Sequence, residues 1–235
     1  MKLAVLWILC LIGCSTAQPK TLQEIYKEAD YSVDITITHE TFDGQILEGG
    51  GAGFVIVHDN QHYILTVAHL KLIPDNSKEI KKILGIFKSS HHPNPEELEV
   101  VGYDEDADIM TLKAKDDSFI FKGNAAKLGS SKSLRVGDSV IALGSPLNFR
   151  FCLSEGVVMR LNAPSSNFRN NTAYFILHSA LINPGSSGGP LLNNFGEVIG
   201  INTMVVTRKM TGVTAMSLAI PIDDVKKILP KIIGQ

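Results

Sequence analysis

The sequence is poor in cysteine, in net charge and in long apolar runs, and each shortage excludes something. Of its three cysteines, Cys10 and Cys14 lie near the start, so Cys152 alone remains in the rest of the chain. No internal disulfide can staple that part, whatever compartment it occupies. Cys152 lies in the mostly apolar stretch Phe149 to Val158 and is expected to be a buried structural thiol. The formal net charge is only −2, which offers no basic field for nucleic acid and no polybasic patch for a membrane surface. The apolar run Leu3 to Gly13 is too short for a membrane span, which needs about 20 such residues. There is no fixed-period repeat and no alternation of strand with helix.

The 235 residues are 44% hydrophobic and 20% charged, enough for a sizeable core in one large all-β unit or two small barrels. Met1-Lys2, the apolar run and the small residues after it read as an export signal over residues 1–17. Leu11-Ile12-Gly13-Cys14 resembles a lipobox, with Cys14 as the lipidated residue. Ser15-Thr16-Ala17 resembles an ordinary cleavage site that leaves Gln18 first. The two readings stay open. Both place the protein outside the cytoplasm, either free in the periplasm of a bacterium or anchored to its envelope.

Residues 18–31 form a leading segment in which Thr21 to Ala29 suits a short helix, with Leu22, Ile25 and Tyr26 on one face. Period-2 alternation follows at Val33, Ile35 and Ile37. Phe54 to Val57 and Tyr63 to Val67 flank a turn and suggest a hairpin. Further short apolar runs, from Ile83 to Phe87 through Ser217 to Ile220, are separated by Gly, Asn and Asp. Many short strands with such turns argue for an all-β fold. The turn-rich segment Lys122 to Arg135 divides the pattern, giving a first barrel over about 32–120 and a second over about 135–222. A helix over about 223–233 closes the chain, with Asp223 as its N-cap, Val225, Ile228 and Leu229 as its apolar stripe, and Pro230 ending its regular turns.

Three motifs carry chemistry. Asn183-Pro184-Gly185-Ser186-Ser187-Gly188-Gly189-Pro190 places a serine between glycines. Acyl transfer needs a nucleophile on a tight turn, with backbone N–H groups aimed at the developing oxyanion. Ser187 would be that nucleophile, and the N–H groups of Gly185 and Ser187 the oxyanion hole. A Gly/Ser-rich loop without chemistry is the plainer alternative. Leu65-Thr66-Val67-Ala68-His69 is an apolar strand ending in a histidine that could move a proton. Taken alone, such a histidine is more often a satisfied core residue. Asp106-Ala107-Asp108-Ile109-Met110-Thr111-Leu112 opens a strand with an acid, which suits an Asp that orients a histidine. Taken alone, it is more often a turn residue. The weaker His91-His92-Pro93 and Asn170-Asn171-Thr172 read as solvated loops rather than as a metal site or a used glycosylation site. No metal and no cofactor are expected.

Taken together, the motifs resemble the trypsin-like serine proteases of the HtrA/Deg type over about Ser32 to Ile233. Gly51-Ala52-Gly53-Phe54, Thr66-Val67-Ala68-His69, Asp104 to Leu112, Arg135-Val136-Gly137-Asp138, Ala142-Leu143-Gly144-Ser145-Pro146, the serine motif, Gly196 to Thr203 and Leu218-Ala219-Ile220-Pro221 follow in family order. The resemblance implies two antiparallel Greek-key β-barrels with a catalytic triad of His69, Asp108 and Ser187 between them. It implies a serine endopeptidase acting on polypeptide substrates, unfolded or damaged exported proteins among them, through an acyl-enzyme; the alternative is a silent or latent protease fold that holds chains without cutting them. By the same resemblance Leu181, six residues before the nucleophile, lies at the base of the substrate pocket with Ile182 and Thr203. With no acid there, cleavage is expected after Val, Ile, Ala, Leu or Met and not after Lys or Arg. A homo-oligomer is compatible with the resemblance. The departures are Ser186 where the family commonly has Asn, and His178-Ser179-Ala180 where it has T-D-A. Only Ile222 to Gln235 follow Pro221, so no PDZ module is expected in this sequence.

Overall fold

The computed structural model describes residues 18–71, 77–89, 94–164, 174–207 and 214–234. Cys14 and the export signal, His91-His92-Pro93 and Asn170-Asn171-Thr172 lie outside them. Twelve strands form two closed antiparallel barrels. The first contains β1 (Ser32–Thr41), β2 (Ile46–His58), β3 (Gln61–Thr66), β4 (Ser77–Phe87), β5 (Glu96–Asp104) and β6 (Ile109–Ala114), in the order β1-β2-β3-β6-β5-β4. The second contains β7 (Ser139–Gly144), β8 (Cys152–Pro164), β9 (Tyr174–His178), β10 (Pro190–Leu192), β11 (Val198–Thr207) and β12 (Thr214–Pro221). Its circular order, β7-β8-β9-β12-β11-β10, repeats that of the first. In each barrel the fourth strand returns beside the first, a Greek-key connection, and the last strand closes on the third.

Local chemistry accounts for the turns and ends. Asp59 and Asn60 both take positive φ between β2 and β3, as a two-residue hairpin turn that follows the strand twist requires. Helix α1 (Leu22–Glu28) starts in a capping box between Thr21 and Glu24 and buries Ile25. Helix α2 (Ile222–Ile233) buries Val225, Leu229 and Ile232 and packs on β5, β6, β11 and β12, so it spans both barrels. Two expectations for α2 change. Pro221, not Asp223, is the N-cap, and Pro230 sits inside the helix. Burial of Leu229 and Ile232 on either side of the proline holds the last turn together despite the lost N–H. Asp223 instead accepts bonds from Ser130, Ser131 and Lys132 in the connection between barrels. Burial alone would raise its pKa, but these donors outweigh it and hold the carboxyl at about 2. Cys152 is only half-buried, its thiol turned to the Phe149 carbonyl, because it opens β8 at the barrel rim rather than within it. Among the described residues no helix is long and apolar enough to cross a membrane.

Candidate active site

The sheet register brings the first two catalytic candidates together. In the antiparallel pair β3–β6, Thr66 stands opposite Met110. Two residues beyond that pair, the end of β3 and the start of β6 share one rim of the barrel. There His69 sits on a short 3-10 turn (Ala68–Lys71) and Asp108 on the turn before β6, at φ +56°. Aspartate tolerates that left-handed conformation better than most residues. The Asp108 carboxylate is 3% exposed and accepts three hydrogen bonds. They come from the His69 backbone N–H at 2.8 Å, His69 Nδ1 at 2.9 Å and the Thr203 hydroxyl at 2.7 Å. A carboxylate acceptor at Nδ1 fixes the proton on that nitrogen and leaves Nε2 as the basic one.

Ser187 comes from the second barrel, on the loop between β9 and β10. Pro184 and Gly185 occupy the centre of a turn closed by Ser186 N–H to Asn183 O at 2.8 Å, with Gly185 at φ +98°. This is the proline-then-glycine pattern of a type II turn. The N–H groups of Gly188 and Gly189 bond Asn202 O and Ser186 O. The N–H groups of Gly185 and Ser187 find no acceptor among the described residues. These two donors are the pair expected to face an oxyanion. Gly188 cannot be replaced without strain. Its φ is +89°, and a Cβ there would lie 2.1 Å from Ala52 O. The loop is also tied to the first barrel, since Ala52 N–H donates to Ser187 O at 2.8 Å.

Thr203 joins the two halves. Its hydroxyl bonds Asp108, and its carbonyl accepts the Ser187 hydroxyl at 3.0 Å. The Ser187 hydroxyl therefore bonds Thr203, and no bond between it and His69 occurs among the described residues. Ser186 is 3% exposed, with its Oγ accepting from Asn183 N–H at 3.4 Å, so the half-buried Ser187 is the serine open to a substrate.

Of the residues expected at the substrate pocket, Thr203 gives its hydroxyl to Asp108. Ile182 is 4% exposed and packs in the core of the second barrel with Ala180 and Leu191. Leu181, its neighbour in the chain, is 62% exposed, and its N–H donates to Ser154 Oγ at 2.8 Å. Residues 208–213 of the β11–β12 connection lie outside the described residues. An open cleft of about 510 Å³ does adjoin Gly185, between the bare backbone of Gly49, Gly50 and Gly51 and the Ser145–Arg150 loop. Arg150 closes its far side with a 2.8 Å bond to Asp34. Among the described residues no three ligating side chains converge as a metal site.

Sequence reasoning missed the Thr203–Asp108 bond and the buried polar pair of His178 and Asn202. Their signal is a polar residue where an apolar one is expected, inside the runs that become β9 and β11.

Residues 51–201 match the family model of the trypsin-like peptidase domain. The chain is 36% identical to Protease Do-like 5, chloroplastic, of Arabidopsis thaliana, over 80% of this chain and 58% of that protein. It is 35% identical to a probable periplasmic serine endoprotease, DegP-like, of Hahella chejuensis, over 76% of this chain and 34% of that one. The chain thus spans less than two thirds of these relatives. The solved HtrA-type protease AlgW with tripeptide superposes with a TM-score of 0.73 at 24% identity, over 91% of this chain and 64% of that one, a likeness of fold.

Proposed function

Because this chain belongs to the trypsin-like peptidase family, we propose that it is a serine endopeptidase of the HtrA type, with Ser187, His69 and Asp108 as its triad. The observation that carries the reading is the Asp108–His69 pair held against a turn whose Gly185 and Ser187 N–H groups are unused. Ser187 Oγ attacks the substrate carbonyl and passes its proton to His69 Nε2. The oxyanion lies against the two free N–H groups, and Asp108 stabilises the imidazolium. His69 then protonates the leaving amine, and a water molecule repeats the sequence to release the acyl group. Polypeptides are the substrates. The DegP-like relative is named a probable periplasmic serine endoprotease, which supports export of this protein; unfolded or damaged chains outside the cytoplasm are the substrates this reading assigns. Cys14 is the residue that would carry a lipid anchor.

The hydroxyl bond from Ser187 to Thr203 favours a second reading, a protease that is latent until a bound chain turns Ser187 toward His69. Labelling with a fluorophosphonate tests both. A stoichiometric adduct on Ser187, lost in Ser187→Ala, supports the enzyme. An adduct that forms only when a peptide is added supports latency. An adduct on Ser186 or none under either condition removes the assignment.

A further inference from the structure

One buried group outside the triad touches its frame. His178 ends β9 fully buried, and neither of its ring nitrogens has a hydrogen-bond partner among the described residues. Asn202 on β11 is also fully buried, and its Oδ1 is likewise unpaired. The two are neighbours inside the second barrel. The Asn202 side chain acts on the imidazole, although burial dominates and brings its pKa down to about 4, so the ring is neutral in the fold. A neutral imidazole carries one donor and one acceptor. Buried polar atoms in folded proteins are nearly always paired, and a donor and an acceptor that face one another complete each other after a small ring rotation.

What Asn202 holds gives the pair its consequence. Its carbonyl accepts Gly188 N–H at 2.7 Å, and its N–H donates to Gly189 O at 2.9 Å. Its side-chain Nδ2 donates to Pro190 O at 3.1 Å. Asn202 therefore grips each of the three residues after Ser187, and the next residue, Thr203, holds Ser187 Oγ and Asp108. We infer that His178 is a positioning residue for the nucleophile turn: it donates one ring N–H to Asn202 Oδ1 and so locks the Asn202 amide onto the backbone behind Ser187. The inference rests on Ser187 being the nucleophile.

The test compares His178→Leu, His178→Gln and His178→Asn in the full chain. Gln places a donor near the position of Nε2, and Asn near that of Nδ1. Fluorophosphonate labelling rate, peptide kcat and KM, and amide hydrogen exchange at Gly188 and Gly189 are measured. The leucine variant should label about tenfold more slowly and lose kcat with KM within about twofold. Its two glycine amides should exchange faster while those of β7 do not. One of the two amide variants should recover most of the labelling rate. Wild-type labelling in the leucine variant, or rescue by neither amide, overturns the inference. If the leucine variant does not fold, His178→Ala takes its place. Failure of the parent reading looks different: the wild-type protein itself is then unlabelled. In that case the glycine amides alone decide, and unchanged exchange in the leucine variant refutes the positioning role.

Discussion

The two barrels share one circular strand order, yet they hold their shares of the site by different means. The first barrel centres its part on one side chain: the Asp108 carboxylate accepts from the His69 backbone N–H, from His69 Nδ1 and from Thr203 of the second barrel. The second barrel holds its part by backbone. Backbone bonds to Asn183 and Asn202, with one from Ala52 of the first barrel, fix the turn around Ser187, whose hydroxyl donates to Thr203 O. A hydrogen-bonded carboxylate in a nearly closed site resists rotation, whereas a serine on a turn rotates about one bond. On the proposed reading, the half that would stabilise charge is preset, and the alignment of Ser187 is the adjustable half.

Removing the adjustable group should have the largest effect. Ser187→Ala is expected to lower turnover by on the order of 10⁶-fold, read by peptide hydrolysis with purified protein. Ser186→Ala should change it far less. Comparable losses in the two would mean that the turn, not one hydroxyl, carries the reaction. On the preset side, Asp108→Asn should cost about 10⁴-fold in kcat by favouring the wrong imidazole tautomer, with the fold intact by circular dichroism. A loss under about tenfold would show that the first barrel's bonds are structural only.

Backbone dependence of the second half can be broken at Gly188. With φ at +89° and Ala52 O only 2.1 Å from where a Cβ would lie, Gly188→Ala should destabilise the protein by about 2 kcal/mol or more, or prevent folding. A denaturation midpoint equal to that of the wild type would refute the close approach.

Two titrations sharpen the contrast further. His178 has its pKa lowered to about 4 by burial, so between pH 6.5 and 4 the unfolded chain takes up a proton that the native one refuses. Native stability should fall over that window by roughly 3 kcal/mol, and His178→Gln should remove that slope in urea unfolding at a series of pH values. Asp223 behaves in the opposite range. Its folded pKa of about 2 lies below the unfolded value, so its stabilisation is present above about pH 4 and disappears as pH falls through 2. Allowing for solvent screening, Asp223→Asn should cost roughly 1–2 kcal/mol at neutral pH and almost nothing near pH 2. A constant difference across that range would mean that its bonds to Ser130 and Ser131 do not depend on charge.

Much of this was legible from residue order. Alternation at Val33, Ile35 and Ile37, the Asp-Asn turn after His58 and the glycines around Ser187 each carry a local rule, so strands, hairpin and nucleophile turn follow without tertiary information. Leu181 shows where such rules stop. The family resemblance places it near a substrate pocket, but neither its 62% exposure nor the bond from its N–H to Ser154, 27 residues earlier, follows from any local rule. Pro230 shows the same limit, because its local helix-ending tendency is overridden by two buried neighbours.

By itself the sequence determined the two runs of strands, the tight turn at Ser187 and the chemical identities of His69 and Asp108, since these depend on side-chain alternation and on the conformational range of a few residues. Only the tertiary structure decided which atoms meet: Thr203 between Asp108 and Ser187, Asn202 behind the nucleophile, and His178 unpaired beside it. Those contacts join β6, β9, β11 and the Ser187 loop, which lie far apart along the chain. Closure of each barrel and the packing of one barrel on the other set their distances, and no local rule encodes either.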